Sequence, residues 1–199
     1  MKNCKIFLFC IMMIPIQAQV NLEWLARYNG TANDWDTGFA IIGDDSGYVY
    51  VTGTTVNTGT DRDYTTIKYN SNGDTVWVRI YNGPENAFDV ARDIVVDSDG
   101  NIYVTGTSVA ATIKYDHHGN EQWVKRYGLA SGGLRLVLDL NNNVIVGGGN
   151  LNDYMILKYD SSGNLLWAGG YNGPANDWDI VNDIVLDSKD NIIVTEQRC

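Results

Sequence analysis

The sequence predicts an all-β fold made of repeated four-stranded antiparallel units. Three observations carry the prediction. A Trp-x-x-x-Tyr element recurs four times, at Trp24/Tyr28, Trp77/Tyr81, Trp123/Tyr127 and Trp167/Tyr171, with the tryptophans 53, 46 and 44 residues apart. Short runs rich in β-branched and aromatic residues fill each interval, as pleated surfaces favour. The composition suits tight turns: 199 residues contain 21 Gly, 12 Tyr and three Pro, with 19% charged. That profile excludes a coiled coil, a collagen and a charge-rich disordered chain.

At the N-terminus, Lys2 and Lys5 precede an apolar run from Ile6 to Ile16, and Gln17-Ala18-Gln19 offers a small residue for cleavage. This is the pattern of a secretory signal peptide over residues 1–18, ending at Ala18. The run is about 11 residues, too short to span a bilayer as a helix. Its removal leaves 12 basic and 24 acidic residues and Cys199 as the remaining cysteine. The mature chain is therefore expected to lack an intramolecular disulfide and a cysteine-based metal site. The expectation is an exported protein, secreted or at the cell surface, with no membrane span once the signal is removed. The formal charge of -10 argues against nucleic acid as a partner, because phosphate contacts need a basic field.

Residues 19–199 read as one repeat domain. A lone outer strand is expected at residues 21–28. A first unit, residues 29–81, contains strand-like runs at 38–44, 48–53, 63–69 and 74–81. A second, residues 82–127, has them at 91–97, 101–106, 112–116 and 121–127. A third, residues 128–171, has them at 134–139, 143–148, 154–160 and 164–171. A partial unit, residues 172–199, adds 180–187 and 191–195. Asp99-Gly100-Asn101, Asn72-Gly73-Asp74, His118-Gly119-Asn120 and Ser162-Gly163-Asn164 mark hairpin turns.

The leading runs are apolar on both faces: Ile94, Val95 and Val96, then Ile102, Tyr103 and Val104. A one-sided antiparallel sheet would alternate apolar with polar. Two buried faces and a period near 45 residues predict a β-propeller built from four-stranded antiparallel blades, with the tryptophans filling gaps between blades. A β-sandwich explains the strands but not the period. The runs total 15 strands, one short of a closed four-bladed ring, so a partial array of about three and a half to four blades is expected, the alternative being a small ring that the N-terminal strand closes by joining the last two, with one strand absent. Residues 195–199 depart from the repeat where Thr-Gly and a third strand are due. An open arc would leave blade faces uncovered, and self-association is expected of it.

Tyr81-Asn82-Gly83-Pro84, Asp89-Val90-Ala91-Arg92-Asp93-Ile94, Gly100-Asn101-Ile102-Tyr103-Val104-Thr105-Gly106 and Thr112-Ile113-Lys114-Tyr115-Asp116 resemble the SBBP repeat of bacterial β-propellers. The resemblance extends over nearly all of residues 24–195. It implies an exported or surface-exposed propeller, often one module of a longer protein, and it carries no catalytic signature.

Candidate binding residues come from the loops that follow three of the Trp-x-x-x-Tyr elements. Trp35 with Asp36, Phe88 with Asp89, and Trp178 with Asp179 recur in them. They could form an aromatic–carboxylate rim suited to sugars, or the Asp could cap a turn while the aromatic wedges between blades. Asp97-Ser98-Asp99-Gly100 and Asp44-Asp45-Ser46-Gly47 lack the ligand spacing of a calcium loop, so no metal site is assigned. His117 and His118 sit in a turn equivalent to Ser161-Ser162 and are expected to point apart, a poor metal pair. No catalytic constellation and no cofactor motif is found. The expected function is a non-catalytic binding or adhesion scaffold for a glycan or a surface protein. The alternatives are a propeller enzyme (polysaccharide lyase, hydrolase or quinone-dependent dehydrogenase) and a purely structural spacer.

Overall fold

The computed structural model describes residues 22–84, 86, 88–107, 110–127, 132–150, 153–174 and 179–198. Their strands are β1 (Thr37–Gly43), β2 (Val49–Val56), β3 (Arg62–Tyr69), β4 (Thr75–Tyr81), β5 (Val90–Val96), β6 (Ile102–Thr107), β7 (Ala111–Tyr115), β8 (Glu121–Arg126), β9 (Gly132–Leu138), β10 (Val144–Asn150), β11 (Asp153–Tyr159), β12 (Leu165–Tyr171), β13 (Asp179–Leu186) and β14 (Ile192–Arg198). They form three four-stranded antiparallel sheets, β1-β2-β3-β4, β5-β6-β7-β8 and β9-β10-β11-β12, and a two-stranded sheet, β13-β14. Every pairing joins sequence neighbours, so each sheet is a meander of hairpins. The expected signal peptide lies outside the described residues.

The lone strand expected at residues 21–28 is corrected by the structure. Residues 22–28 are not a strand, because a strand requires a neighbour's row of N–H and C=O groups and this segment pairs with none of the sheets. It is held instead through Trp24, whose ring lies 5.9 Å from that of Tyr69.

The sheets stack as blades. β5 lies against β1 and β2, β9 against β5 and β6, and β13 against β9 and β10. Residues of β5 and β6 therefore serve two interfaces. Ile94, Ile102 and Val104 join Tyr50, Tyr64 and Trp77 of the first blade, while Tyr103, with Val95 against it, joins Leu136 and Val146 of the third. This is why the runs lack polar alternation.

The repeated tryptophans fill the gaps between blades. Trp77 lies 6.2 Å from Tyr50 of its own blade and 6.3 Å from Tyr115 of the next. Trp123 lies 6.0 Å from Tyr103 and 6.3 Å from Tyr159. Each indole reaches over the next blade's outer turn, where a glycine at positive φ is needed twice over. Gly119 has φ 79 and Gly163 has φ 83, and a Cβ on either would stand 2.9 Å from the tryptophan ring. Only glycine relieves both the backbone strain and the collision. Trp24 makes the same approach to Gly73.

Seven hairpin turns share one device. Asp44, Asn70, Asp97, Asp116, Asp139, Asp160 and Asp187 each accept, on Oδ1, the backbone N–H groups two and four residues ahead. A short side chain thus satisfies donors that no ladder uses.

Candidate binding rim

The loops that lead into β1 and β5 are two castings of one shape. In the first, Asn29 Nδ2 donates to Asn33 Oδ1 at 2.7 Å, and the Asn33 N–H donates to the Gly30 carbonyl at 3.1 Å. In the second, Asn82 Nδ2 donates to Asn86 Oδ1 at 2.7 Å, and the Asn86 N–H to the Gly83 carbonyl at 3.1 Å. Asn33 and Asn86 both take the left-handed conformation, with φ 53 and 48, which Asn tolerates better than most residues.

The aspartates of the expected rim close these loops. The Gly30 N–H donates to Asp36 Oδ2 at 2.9 Å and the Gly173 N–H to Asp179 Oδ2 at 2.6 Å. The Gly83 N–H donates to Asp89 in the same way. Asp89 and Asp179 are 1% and 4% exposed. The expectation of an aromatic–carboxylate rim is therefore corrected: these carboxylates bind their own loop's backbone and do not face outward. Close approach also accounts for the glycines, since a Cβ on Gly173 would lie 2.8 Å from Asp179 Oδ2.

The aromatic residues do face outward. Trp35 is 62% exposed and Phe88 is 56% exposed. Neither wedges between blades. Trp178 lies outside the described residues. Between Trp35 and Phe88 sits a residue the sequence pattern does not mark. The Arg62 guanidinium carbon lies 4.5 Å from the Trp35 ring centroid and 5.1 Å from that of Phe88, stacked on two faces. Its backbone carbonyl accepts the Asp89 N–H at 2.7 Å, so the same residue joins the hairpin to the second loop. No hydrogen bond or ion pair holds the guanidinium among the described residues.

Arg62 reaches the rim because its hairpin is long. Thr52 and Thr66 bond across β2 and β3 fourteen residues apart, whereas Thr105 and Thr112 bond across β6 and β7 seven apart. The extension is anchored. Thr58 donates twice to Thr31, from its N–H to Oγ1 at 2.9 Å and from its hydroxyl to the backbone carbonyl at 3.2 Å. Asn57 and Thr60 donate to Asp63 Oδ2 at 3.0 and 2.7 Å, and Asp63 is 1% exposed. The Tyr64 hydroxyl beneath donates to the Ala111 carbonyl at 3.4 Å, and burial raises its pKa well above the ordinary value.

The other candidates have structural uses. Asp97 accepts the Asn101 Nδ2 and Tyr103 hydroxyl groups on Oδ2, besides the turn's N–H groups on Oδ1. Among the described residues no group of three His, Cys, Asp or Glu could hold a metal ion. His117 and His118 do not point apart as expected: their ring centroids are 3.7 Å apart, because a turn, unlike a strand, does not alternate its side chains.

Residues 76–110 match the model of the SBBP family, a β-propeller repeat. That stretch runs from β4 through β6. The chain is 26% identical over 196 residues to an uncharacterized WD repeat-containing protein of Acanthamoeba polyphaga mimivirus, an alignment spanning 92% of this chain and 13% of that protein. A crystal structure of a protein of unknown function from Bacteroides caccae shares the fold with a TM-score of 0.50 and 10% identity, over 80% of this chain and 53% of the other. Stacked four-stranded meanders and inter-blade tryptophans, with the match to a β-propeller repeat over residues 76–110, give a β-propeller fold. Its described residues make three full blades and a two-stranded one, a partial propeller.

Proposed function

We propose that this protein is an exported, non-catalytic binding scaffold that presents the Trp35–Arg62–Phe88 rim to a glycan. The observation that carries the reading is a guanidinium stacked between two exposed rings on a hairpin lengthened to bring it there. The free face of an exposed indole suits the apolar face of a sugar, and the in-plane N–H fork of Arg62 suits hydroxyl or carboxylate oxygens. The surrounding aspartates hold the loops in shape, so the rim is preorganised and little ordering cost falls on binding. Export rests on the basic and apolar N-terminal pattern, and the absence of a catalytic role rests on the structural employment of the recurring acids.

A glycan array probed with the full chain, together with pull-downs from cell-surface material, tests the proposal. Binding should fall about tenfold or more on Trp35→Ala and on Arg62→Ala. Silence in both assays, or binding indifferent to both substitutions, would count against it. Turnover of a polysaccharide panel by the purified protein would replace it with an enzymatic role.

A further inference from the structure

The junction of the first two blades holds a second arginine stacked on an aromatic ring. The register slips at Gly38/Ala40 and Ala91/Asp93 leave Phe39 and Arg92 without a partner across the sheet. These two residues therefore hold equivalent places in β1 and β5, and a bulge re-aims the side chain it carries. Here the two meet. The Arg92 guanidinium carbon lies 4.6 Å from the centroid of the Phe39 ring, which is 43% exposed. Arg92 on Phe39 thus repeats Arg62 on Trp35 and Phe88, and both pairs belong to one edge of the junction. Asp89, whose N–H donates to the Arg62 carbonyl, comes three residues before Arg92. Tyr64, two residues after Arg62, feels the Arg92 charge.

Both guanidiniums lack an acceptor. Among the described residues neither has a hydrogen bond or an ion pair, and Arg92 Nε is buried without a partner. A guanidinium carries five N–H donors, and a buried donor left unpaired costs free energy. The nearby acids are engaged elsewhere. Asp36 and Asp89 take the N–H groups of Gly30 and Gly83, and Asp63 takes Asn57 and Thr60. Asp34 and Asp61, next to Trp35 and Arg62 in sequence, are exposed and pair with neither arginine. The chain itself therefore leaves the two stacked cations uncompensated.

We propose that the rim takes an acidic glycan, a chain of sugars bearing carboxylates, with a sugar face on Trp35 and carboxylates on the Arg62 and Arg92 guanidiniums. This rests on the glycan reading above and names its chemical class. A carboxylate presents two oxygens in one plane, the match of the guanidinium fork, and a charged acceptor makes a stronger bond than a sugar hydroxyl. The aromatic beneath each guanidinium holds it flat and limits its hydration, which favours an anion over water as its partner. The formal charge of -10 opposes an anion only weakly at this edge. Exposed charges farther apart than about 8 Å are largely screened at physiological ionic strength, so the groups within reach of the ligand decide.

Titration calorimetry of the full chain with polygalacturonate, alginate and hyaluronan, each beside its carboxyl-reduced counterpart, tests the assignment. At least one acidic polymer should bind about tenfold or more tightly than its reduced form, and added salt should erode that margin. Arg92→Gln should weaken binding of the acidic polymer about tenfold and of the reduced one far less. The margin is a ratio within one protein sample, so a loss of folded material does not imitate it. Reduced polymers that bind through Trp35 as tightly as acidic ones overturn the acidic class and leave the glycan reading standing. Silence toward every polymer, acidic and neutral, overturns both. A margin that Arg92→Gln leaves intact, or binding of dextran sulfate with none of the carboxylate polymers, also overturns the proposal.

Discussion

The indole N–H of Trp77 donates to the backbone carbonyl of His117, 3.3 Å away across the gap between the first two blades. Lys68, opposite Trp77 in the β3–β4 pairing, donates to the same oxygen at 3.2 Å. Trp123 and Lys114 repeat the arrangement on Ser161, at 3.2 and 3.0 Å. A turn carbonyl thus anchors the second blade on the first and the third on the second. Trp77→Phe keeps most of the apolar contact and loses the donor, and should cost about 1 kcal/mol. Trp77→Ala should cost about 3–5 kcal/mol. Trp167 is 41% exposed against 7% for Trp77, so Trp167→Ala should cost clearly less. Equilibrium urea unfolding checks the ranking, and equal losses at the two sites would refute the inter-blade role.

The rim loops should separate stability from recognition. Asp89→Ala leaves the buried Gly83 N–H without its charged acceptor and should destabilise by about 1–3 kcal/mol. Trp35→Ala removes an exposed ring and should change stability by no more than about 0.5 kcal/mol. Calorimetric melting of the two variants measures the difference. A Trp35 variant as unstable as the Asp89 variant would mean that the ring supports the fold and is not displayed by it.

Acid should loosen the third blade through Asp139. Burial works to raise this carboxyl, but the Lys158 ammonium at 2.7 Å, the Asn143 amide and the N–H groups of Asn141 and Asn143 outweigh it and hold the pKa at about 2, below the ordinary 3.8. A carboxyl more acidic in the folded chain than in the unfolded one favours folding when deprotonated. Its contribution is therefore complete above 3.8 and lost as the pH falls through about 2. Asp139→Asn should lower the melting temperature at neutral pH and reduce its fall across that window. A variant whose acid limb matches the parent's would contradict the assignment.

Gly53 and Gly106 should resist substitution. The β1–β2 and β5–β6 pairings each slip by one residue opposite them, at Gly38/Ala40 and Ala91/Asp93. The resulting bulge brings the partner strand's carbonyl onto the glycine. A Cβ would stand 1.9 Å from the Thr37 carbonyl oxygen at Gly53 and 2.0 Å from that of Val90 at Gly106. Alanine at either should cost about 3 kcal/mol or more. Gly147→Ala meets the buried Val181 side chain at 2.8 Å, a longer approach than either carbonyl contact, and should cost less. Chemical denaturation of the three variants tests the order.

Blade order, turn positions and the inter-blade tryptophans are legible in the sequence because each recurs, and repetition exposes a packing rule that one copy would hide. Recurrence also misleads. Trp24-x-x-x-Tyr28 matches the outer strand of the other units, yet strand character belongs to a pair, and the match reports only where the indole sits. The rim is half legible. Trp35 and Phe88 recur, but Arg62 does not. The signal for it is indirect: the first two tryptophans are 53 residues apart and the next two 46, a surplus that matches the longer β2–β3 hairpin. The direction of Asp36, Asp89 and Asp179 is not legible, because residue type identifies an acid and says nothing of the glycine N–H six residues back that claims it.

The seven Asp- or Asn-centred turns bear on how the chain reaches this state. Each closes with bonds spanning two to four residues and asks nothing of a neighbouring blade. Hairpins can therefore form early and locally, on the microsecond scale typical of such elements, and the slow event is the meeting of one finished leaf with the next. Folding should proceed as the closing of a fan, with its rate set by how soon each indole finds the carbonyl waiting on the adjoining leaf.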